Sequence, residues 1–193
     1  LDDYAYLIQL MINFYELTGE ITYLNNAKDM SQKTWDLFYD NNNKILQKNL
    51  IEKNDLFVPP SDVNDSNIPN GNSIFLLNCK KLEVITGEKK WQNMTKELTQ
   101  SFHSFLNLQS TQMVSYIKNL DICEEVQTFT FFGSINKNKD LHQYVKKNYF
   151  RSSTFIYKDD SKENYLIVCK NQTCSNKIKT LEELKAVVKN YAI

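Results

Sequence analysis

The chain is predicted to be mainly α-helical with a C-terminal α/β unit. Three observations support this prediction. Two glycines, Gly19 and Gly87, lie at matching places in a repeated segment. Apolar residues recur at helical spacing around both copies of the repeat. After residue 125, short stretches rich in β-forming residues alternate with helical patterns.

The repeat predicts two αα-hairpins, at about residues 2–39 and 70–108. Its copies share the triplets Thr18-Gly19-Glu20 and Thr86-Gly87-Glu88. Glycine often ends a helix in the left-handed conformation, so each triplet predicts a tight turn between two helices. The apolar positions before the turns are Leu7, Leu10, Met11, Phe14 and Leu17, and Phe75, Cys79, Leu82 and Ile85. Those after the turns are Leu24, Ala27, Met30, Trp35 and Phe38, and Trp91, Met94, Leu98, Phe102 and Phe105.

Hairpins of this kind stack side by side, because one pair of helices cannot bury both of its apolar faces. Two hairpins cannot close a ring, so residues 1–122 are predicted to form a partial (α/α) toroid. A fifth, short helix completes this domain with Met113, Val114, Ile117 and Leu120. An unpartnered apolar side chain forgoes about 1.5–3 kcal/mol of burial. We therefore expect a partner, either further hairpins or a second copy in a homodimer.

Residues 123–193 are predicted to form a small β-α-β-β-α unit. The predicted strands are 126–132, 153–157 and 165–168, with a helix at 141–149. A last helix is expected to begin at Thr180, because Thr180 and Glu183 match a capping box. Between the hairpins, residues 40–69 form a long loop with at most a short strand, and connections of this length are usually functional or disordered.

Composition argues against several classes of function. Lys plus Arg equals Asp plus Glu at 23 each, so no global field attracts nucleic acid or an anionic membrane. The sequence has no transmembrane-length apolar run and no phosphate loop, nucleophile elbow or zincin motif. A calcium loop starting at Asp62 is rejected, because its sixth position is not glycine and Ser73 replaces the required glutamate. No metal or cofactor is predicted, and a cytoplasmic location is expected.

The four cysteines include no Cys-x-x-Cys pair. Cys169 and Cys174 lie between the last strand and the last helix. A disulfide, a metal-binding pair and two ordinary thiols all remain open as interpretations of this spacing.

The repeat phase predicts a polar cluster at one rim of the toroid. Shifting the first copy by the repeat offset places Asn72 opposite Tyr4. The polar residues around Tyr4 and those around Asn72 therefore begin equivalent helices. Helix starts carry free N–H groups and the positive end of the dipole. The candidate catalytic acid and base are Asp3 and Asp65, and the candidate ligand-binding residues are Asp2, Tyr4 and Asn72. Alternatively, these residues are ordinary helix caps.

At these positions the chain resembles a known family. The matching stretches are Leu1-Asp2-Asp3-Tyr4-Ala5-Tyr6-Leu7, Leu17-Thr18-Gly19, Asp65 with Pro69-Asn70-Gly71-Asn72-Ser73, and the tail from Val168-Cys169 to Cys174. In this order they are similar to the C-terminal third of the YyaL-type, or spermatogenesis-associated thioredoxin-domain, proteins. One departure is Asn70, where the family usually has serine. The resemblance implies a six-hairpin glycosidase-like toroid joined to a thioredoxin-like domain, with that domain and earlier hairpins upstream as partners.

Two functions are compatible with these observations. The first is a scaffold or ligand-binding module attached to the thioredoxin-like domain. The alternative is part of a carbohydrate-active enzyme, a sugar epimerase or glycosidase-like protein, in which the rim carboxylates act on a sugar ligand. The resemblance extends to toroids of the N-acylglucosamine 2-epimerase type, but a shared fold does not establish a reaction. Whether the chain is an enzyme is left open.

Overall fold

The computed structural model describes residues 1–50, 63–148, 150, 152–159, 162–170 and 173–189, apart from the side chains of 108 and 109. Asp62 and the hydrophobic stretch at 56–58, noted in the predicted loop, lie outside the described residues. The chain divides into two compact units. The first comprises Leu1–Tyr15 and Glu20–Cys123, and the second comprises Glu16–Gly19 and Glu124–Ile193.

The first unit contains both copies of the repeat apart from Glu16–Gly19, which belong to the second unit. Its long helices are α1 (Asp2–Thr18), α2 (Ile21–Phe38), α3 (Gly71–Thr86) and α4 (Lys89–Gln109). Gly19 and Gly87 have φ values of 75° and 70°, the left-handed conformation that turns each chain back. The turns match in detail, because the N–H groups of Tyr23 and Trp91 donate at 3.2 Å to Glu20 and Glu88.

Helix α3 is the centre of the first unit. Every residue from 71 to 79 is buried, so the helix has no solvent-facing side in its first half. Helix α4 packs against it with a fully buried row that includes Trp91, Leu98 and Phe102. A helix half that is buried on all sides must be surrounded by other elements, and its polar side chains must find partners within the protein.

Helix α1 has apolar residues on two sides. The helical spacing used in the sequence analysis selected the side that is exposed in the structure. Its buried residues are Ala5, Ile8, Ile12 and Tyr15. Leu7, Leu10 and Phe14, which we name the α1 stripe, are 40%, 45% and 37% exposed. These positions were expected to be the apolar face of the hairpin, and the core lies instead on the opposite side of the helix.

Two short strands follow α2, β1 (Tyr39–Asp40) and β2 (Ile45–Leu46), and they pair antiparallel. The Asp40 carboxylate stabilises their turn by accepting hydrogen bonds from Asn42, Asn43 and Gln47.

The fifth helix, α5, spans Val114–Glu124. Its buried side consists of Met113, Tyr116 and Asn119, whereas Val114 and Ile117 are 63% and 45% exposed. Two of the apolar residues that the sequence analysis placed on this helix, Val114 and Ile117, are therefore on its exposed side.

The second unit is a mixed sheet with two helices. Its elements are β3 (Gln127–Phe132), α6 (Lys139–Lys147), β4 (Ser153–Lys158), β5 (Tyr165–Lys170), β6 (Thr173–Cys174) and α7 (Leu181–Lys189). The strand order is β4-β3-β5-β6. Strands β3 and β4 are parallel, while β5 is antiparallel to both β3 and β6. The prediction of a mainly helical chain with a C-terminal sheet is confirmed, and β6 is an additional strand.

The capping box of α7 is present. Thr180 N–H donates to the Glu183 carboxylate at 3.1 Å, and Glu183 N–H donates to the Thr180 hydroxyl at 3.3 Å. Helices α6 and α7 cover one face of the sheet. The fully or almost fully buried core between them is formed by Phe129, Phe131, Leu141, Val145, Leu166, Val168, Ile178, Leu184 and Val188.

His142 on α6 is buried beside this core. Its Nε2 lies 2.5 Å from the Tyr157 hydroxyl, which donates its proton to the Glu16 carbonyl at 2.6 Å. A phenol has one proton to give, so His142 donates through Nε2–H and its Nδ1 carries no proton. Burial, with a smaller contribution from Lys146, lowers the pKa of His142 to about 4. The ring is therefore neutral near pH 7.

This burial predicts acid sensitivity of the second unit. The unfolded chain binds a proton at His142 near pH 6.5, whereas the folded chain excludes it until about pH 4. The free energy of unfolding therefore keeps its full value above about pH 6.5 and should fall by about 2–3 kcal/mol as the pH drops towards 4. Hydrogen exchange of the β3 amides at a series of pH values measures this change.

The matched variant is His142→Gln, which keeps an N–H donor for Tyr157 but does not titrate. Its β3 protection should depend less on pH between 6.5 and 4 than that of the unmodified chain. His103→Gln, at an exposed histidine of the first unit, serves as the control. Identical pH profiles for His142→Gln and the unmodified chain would contradict the assignment.

Candidate functional site

Three successive backbone N–H groups at the start of α3 are bound by three different side chains. Asn70 N–H donates to Asp65 at 2.9 Å, and Gly71 N–H donates to Asp2 at 3.1 Å. Asn72 N–H then donates to the side chain of Asn70 at 2.8 Å. These groups are the donors that a helix start leaves open for a cap or a ligand. Here the protein itself satisfies them.

Asp2 reaches α3 because residue 71 is glycine. A Cβ added to Gly71 would lie 2.1 Å from the Asp2 carboxylate and 3.1 Å from the Asp2 Cα. Distances this short exclude a larger side chain unless the backbone moves. The starts of α1 and α3 are thus close neighbours, and Asp2 fills the space between them.

Asp65 connects two helix starts. One carboxylate oxygen accepts from Asn70 N–H and from the Ser115 hydroxyl, and the other accepts from Ser115 N–H at 2.7 Å. Ser115 lies in the first turn of α5, so Asp65 caps this helix although it lies in the loop before α3, far from α5 in the sequence. A carboxylate offers about four acceptor positions. Three of them are already occupied by the protein.

Asn72 is completely buried and is paired with a strand. Its side-chain oxygen accepts from Leu46 N–H at 2.9 Å, and its side-chain nitrogen donates to the Leu46 carbonyl at 2.8 Å. The backbone N–H and carbonyl of Leu46 are thus satisfied by a side chain instead of by a neighbouring strand. The amide is therefore used in holding β2 against α3.

The other two predicted residues have different surroundings. The ring of Tyr4 packs edge-on against Phe38, with 5.3 Å between ring centroids. Asp3, in the first turn of α1, is exposed. Of the five predicted residues, the structure brings Asp2, Asp65 and Asn72 together around residues 70–72.

Sequence reasoning missed two further asparagines of the same network. The Asn78 side chain donates to the Ala5 carbonyl at 2.8 Å, and that of Asn119 donates to the Ser73 carbonyl at 2.8 Å. Both residues are buried. For Asn78 the sequence signal is an amide between the apolar residues Leu77 and Cys79 of a predicted helix, whereas Asn119 follows Lys118 and carries no such signal. Each amide joins two helices, α3 to α1 and α5 to α3.

A surface concavity of about 340 Å³ lies elsewhere in the first unit, between the β1–β2 turn and α4. Its lining includes Asn42, Asn43, Lys44, Glu97, Gln100 and Phe105. None of the five predicted site residues lines it. Among the described residues, no group of three or more His, Cys, Asp or Glu side chains is arranged to hold a metal ion. In the same part of the chain, no helix has the length and hydropathy to cross a membrane.

Of the three interpretations left open for the last two cysteines, the structure contains the disulfide. Cys169 and Cys174 are opposite each other on β5 and β6 and are covalently joined. Neither residue is near the start of α3 in sequence, and both belong to the second unit.

Comparison with known proteins adds no family to these observations. No protein-family model matches the chain, and no curated protein matches it. The functional interpretation therefore depends on the geometry described above.

The hydrogen bonds of Asp65 predict a structural role that Asp3 does not share. Asp65→Asn replaces one carboxylate oxygen by an NH₂ group that faces an N–H or O–H donor, so a part-buried hydrogen bond is lost and the free energy of unfolding should fall by about 2–4 kcal/mol. Asp3→Asn, the same change at an exposed site, should alter it by less than about 0.5 kcal/mol. Urea titration followed by tryptophan fluorescence measures both, because Trp35 and Trp91 lie in the first unit. Equal effects of the two substitutions would contradict this assignment.

Asn72 offers a second comparison of this kind. Asn72→Asp keeps the shape of the side chain but loses the donor to Leu46 and buries a carboxyl group. We expect a loss of about 3 kcal/mol or more at pH 7. Asn26→Asp, on the exposed side of α2, is the control and should change stability by a few tenths of a kcal/mol at most. The same fluorescence titration applies, and unchanged stability of Asn72→Asp would show that the paired amide is dispensable.

Proposed function

We propose that this chain is a non-catalytic scaffold segment of an (α/α) toroid protein that carries a thioredoxin-like domain. In this proposal, the α1 stripe packs against another helical hairpin of the same repeat. The observation that carries the proposal is the difference in burial between equivalent positions of the two repeat copies.

The α1 stripe has direct counterparts on α3. Shifting Leu7, Leu10 and Phe14 by the repeat offset gives Phe75, Asn78 and Leu82. The three positions on α1 are 37–45% exposed, whereas all three positions on α3 are 0% exposed. The same helix surface is therefore partly exposed in the first copy and buried in the second.

The first hairpin supplies part of that cover. The Trp35 ring of α2 stacks near Phe75, with 6.4 Å between ring centroids, and Ala5 of α1 accepts the hydrogen bond from Asn78. One hairpin thus packs on the outer face of the next. By the same geometry, the face that remains on α1 fits a hairpin placed before it.

The spacing of the stripe supports a helix as its occupant. Leu7, Leu10 and Phe14 are separated by three and four residues, the pattern of a seam between packed helices. The resemblance to toroid proteins supplies the larger setting, in which earlier hairpins and a thioredoxin-like domain precede this segment.

The carboxylates give less support to a carbohydrate-active enzyme. Asp65 and Asp2 each accept a hydrogen bond from the start of α3, and Asp65 also caps α5, so both carboxylates already serve the packing of the helices. A general acid or base must be within hydrogen-bond reach of the proton it transfers. The network at residues 70–72 supports capping instead, and we do not propose a sugar-converting reaction.

A second copy of the chain can serve as the probe for the stripe. Light scattering at increasing concentration should give a mass that rises above the 22.7 kDa of a single chain. Leu10→Gln with Phe14→Gln removes two apolar contacts worth about 1.5–3 kcal/mol each, so association should weaken at least tenfold.

The control replaces two apolar residues outside the stripe that are at least as exposed as Leu10 and Phe14, Val114→Gln with Ile117→Gln. This variant should associate as the unmodified chain does. A mass of one chain at every concentration, or equal weakening by both double variants, would count against the stripe as a docking face.

A further inference from the structure

We infer that Cys169 and Cys174 form a reversible thiol–disulfide exchange site that is reduced by a dithiol without unfolding the second unit. This inference is independent of the scaffold function proposed above. It depends on where the disulfide lies in the sheet and on what else holds the strands together.

The disulfide joins directly opposed residues at the edge of the sheet. Cys169 on β5 and Cys174 on β6 are register partners with 4.0 Å between their Cα atoms. Strand β6 is the last strand in the sheet order, and Cys174 is exposed while Cys169 is partly buried. An exposed disulfide sulfur is open to attack by an incoming thiolate.

Backbone hydrogen bonds hold this hairpin together independently of the disulfide. Ser175 N–H donates to the Val168 carbonyl at 2.8 Å. Further along, Leu166 and Ile178 exchange two backbone hydrogen bonds of 2.8 and 2.9 Å. The Ile178 side chain is buried in the core of the unit. These contacts keep the segment after β6 in place whether or not the sulfurs are joined.

The disulfide itself constrains the chain only slightly. The two cysteines are five positions apart, and the entropy removed from an unfolded chain by a cross-link decreases as the closed loop becomes shorter. Reduction should therefore cost the unit little stability. After reduction, the paired strands keep both thiols within reach of each other, which favours closure of the disulfide again.

The exchange reaction has a defined balance. A thiolate of the dithiol attacks the Cys174 sulfur, forming a mixed disulfide and releasing the Cys169 thiolate. The second thiol of the reagent then attacks the reagent's first sulfur in that mixed disulfide. This step closes the reagent's own disulfide and releases the Cys174 thiolate. The dithiol loses two electrons and becomes a disulfide, and its two protons pass to the two cysteine thiolates.

Cys79 provides an internal contrast. It is completely buried on α3, and burial raises the pKa of its thiol. A buried, protonated thiol does not react with an alkylating reagent while the protein is folded. Reaction at Cys79 therefore reports unfolding of the first unit.

Mass spectrometry can follow the exchange directly, because Lys170 lies between the two cysteines. Trypsin separates them into peptides 163–170 and 171–177, which stay joined only while the disulfide is intact. The full chain is treated with dithiothreitol in native buffer, alkylated with N-ethylmaleimide and digested. We expect complete conversion to two alkylated peptides, no alkylation of Cys79, and unchanged hydrogen exchange in β3. Adding oxidised glutathione instead of alkylating should restore the joined peptides.

Two results would overturn the inference. One is a disulfide that dithiothreitol reduces only after urea is added. The other is reduction accompanied by loss of β3 protection. Cys169→Ser with Cys174→Ser tests the stability argument separately, and its β3 protection should equal that of the reduced chain. A large loss of protection in this double variant would show that the disulfide holds the hairpin.

Discussion

The paired amide of Asn72 is the interaction on which the first unit depends. The apolar contacts of a buried helix alone give little direction to the elements packed on it, since dispersion contacts are weakly specific. The two hydrogen bonds between Asn72 and Leu46 fix β2 at one position along α3. Asn78 and Asn119 do the same for α1 and α5. A buried amide is costly when its hydrogen bonds are not made, so Asn72, whose donor and acceptor both pair with Leu46, restricts the packing to this arrangement.

The start of α3 extends this principle to helix ends. Asp2, Asp65 and Asn70 come from three places in the sequence, and each accepts one of three successive N–H groups. The result is a junction of α1, α3, α5 and the preceding loop. In a ligand-binding rim, these three N–H groups would instead be left open for the ligand. Asp2, Asp65 and Asn72, three of the five polar residues that suggest a sugar site in the sequence, hold helices and strand β2 together in the fold.

Sequence reasoning succeeded where one local signal determines the outcome. The Thr-Gly-Glu turns and the capping box of α7 require only neighbouring residues, so helix ends could be placed. It failed where two apolar surfaces compete. Helix α1 has Ile8 and Ile12 on one side and Leu7 and Leu10 on another, and periodicity alone cannot say which side meets the core. The partners of Asp65 and the pairing of Cys169 with Cys174 depend on contacts between segments, which spacing does not encode.

The complete burial of residues 71–79 bears on how the first unit opens. A peripheral helix can detach and expose one face, but α3 cannot leave without uncovering its neighbours on every side. Local openings of this unit should therefore spare α3, whose amides become accessible only when the whole unit opens. The cooperative unfolding of the first unit is therefore centred on α3, which opens together with the helices packed around it.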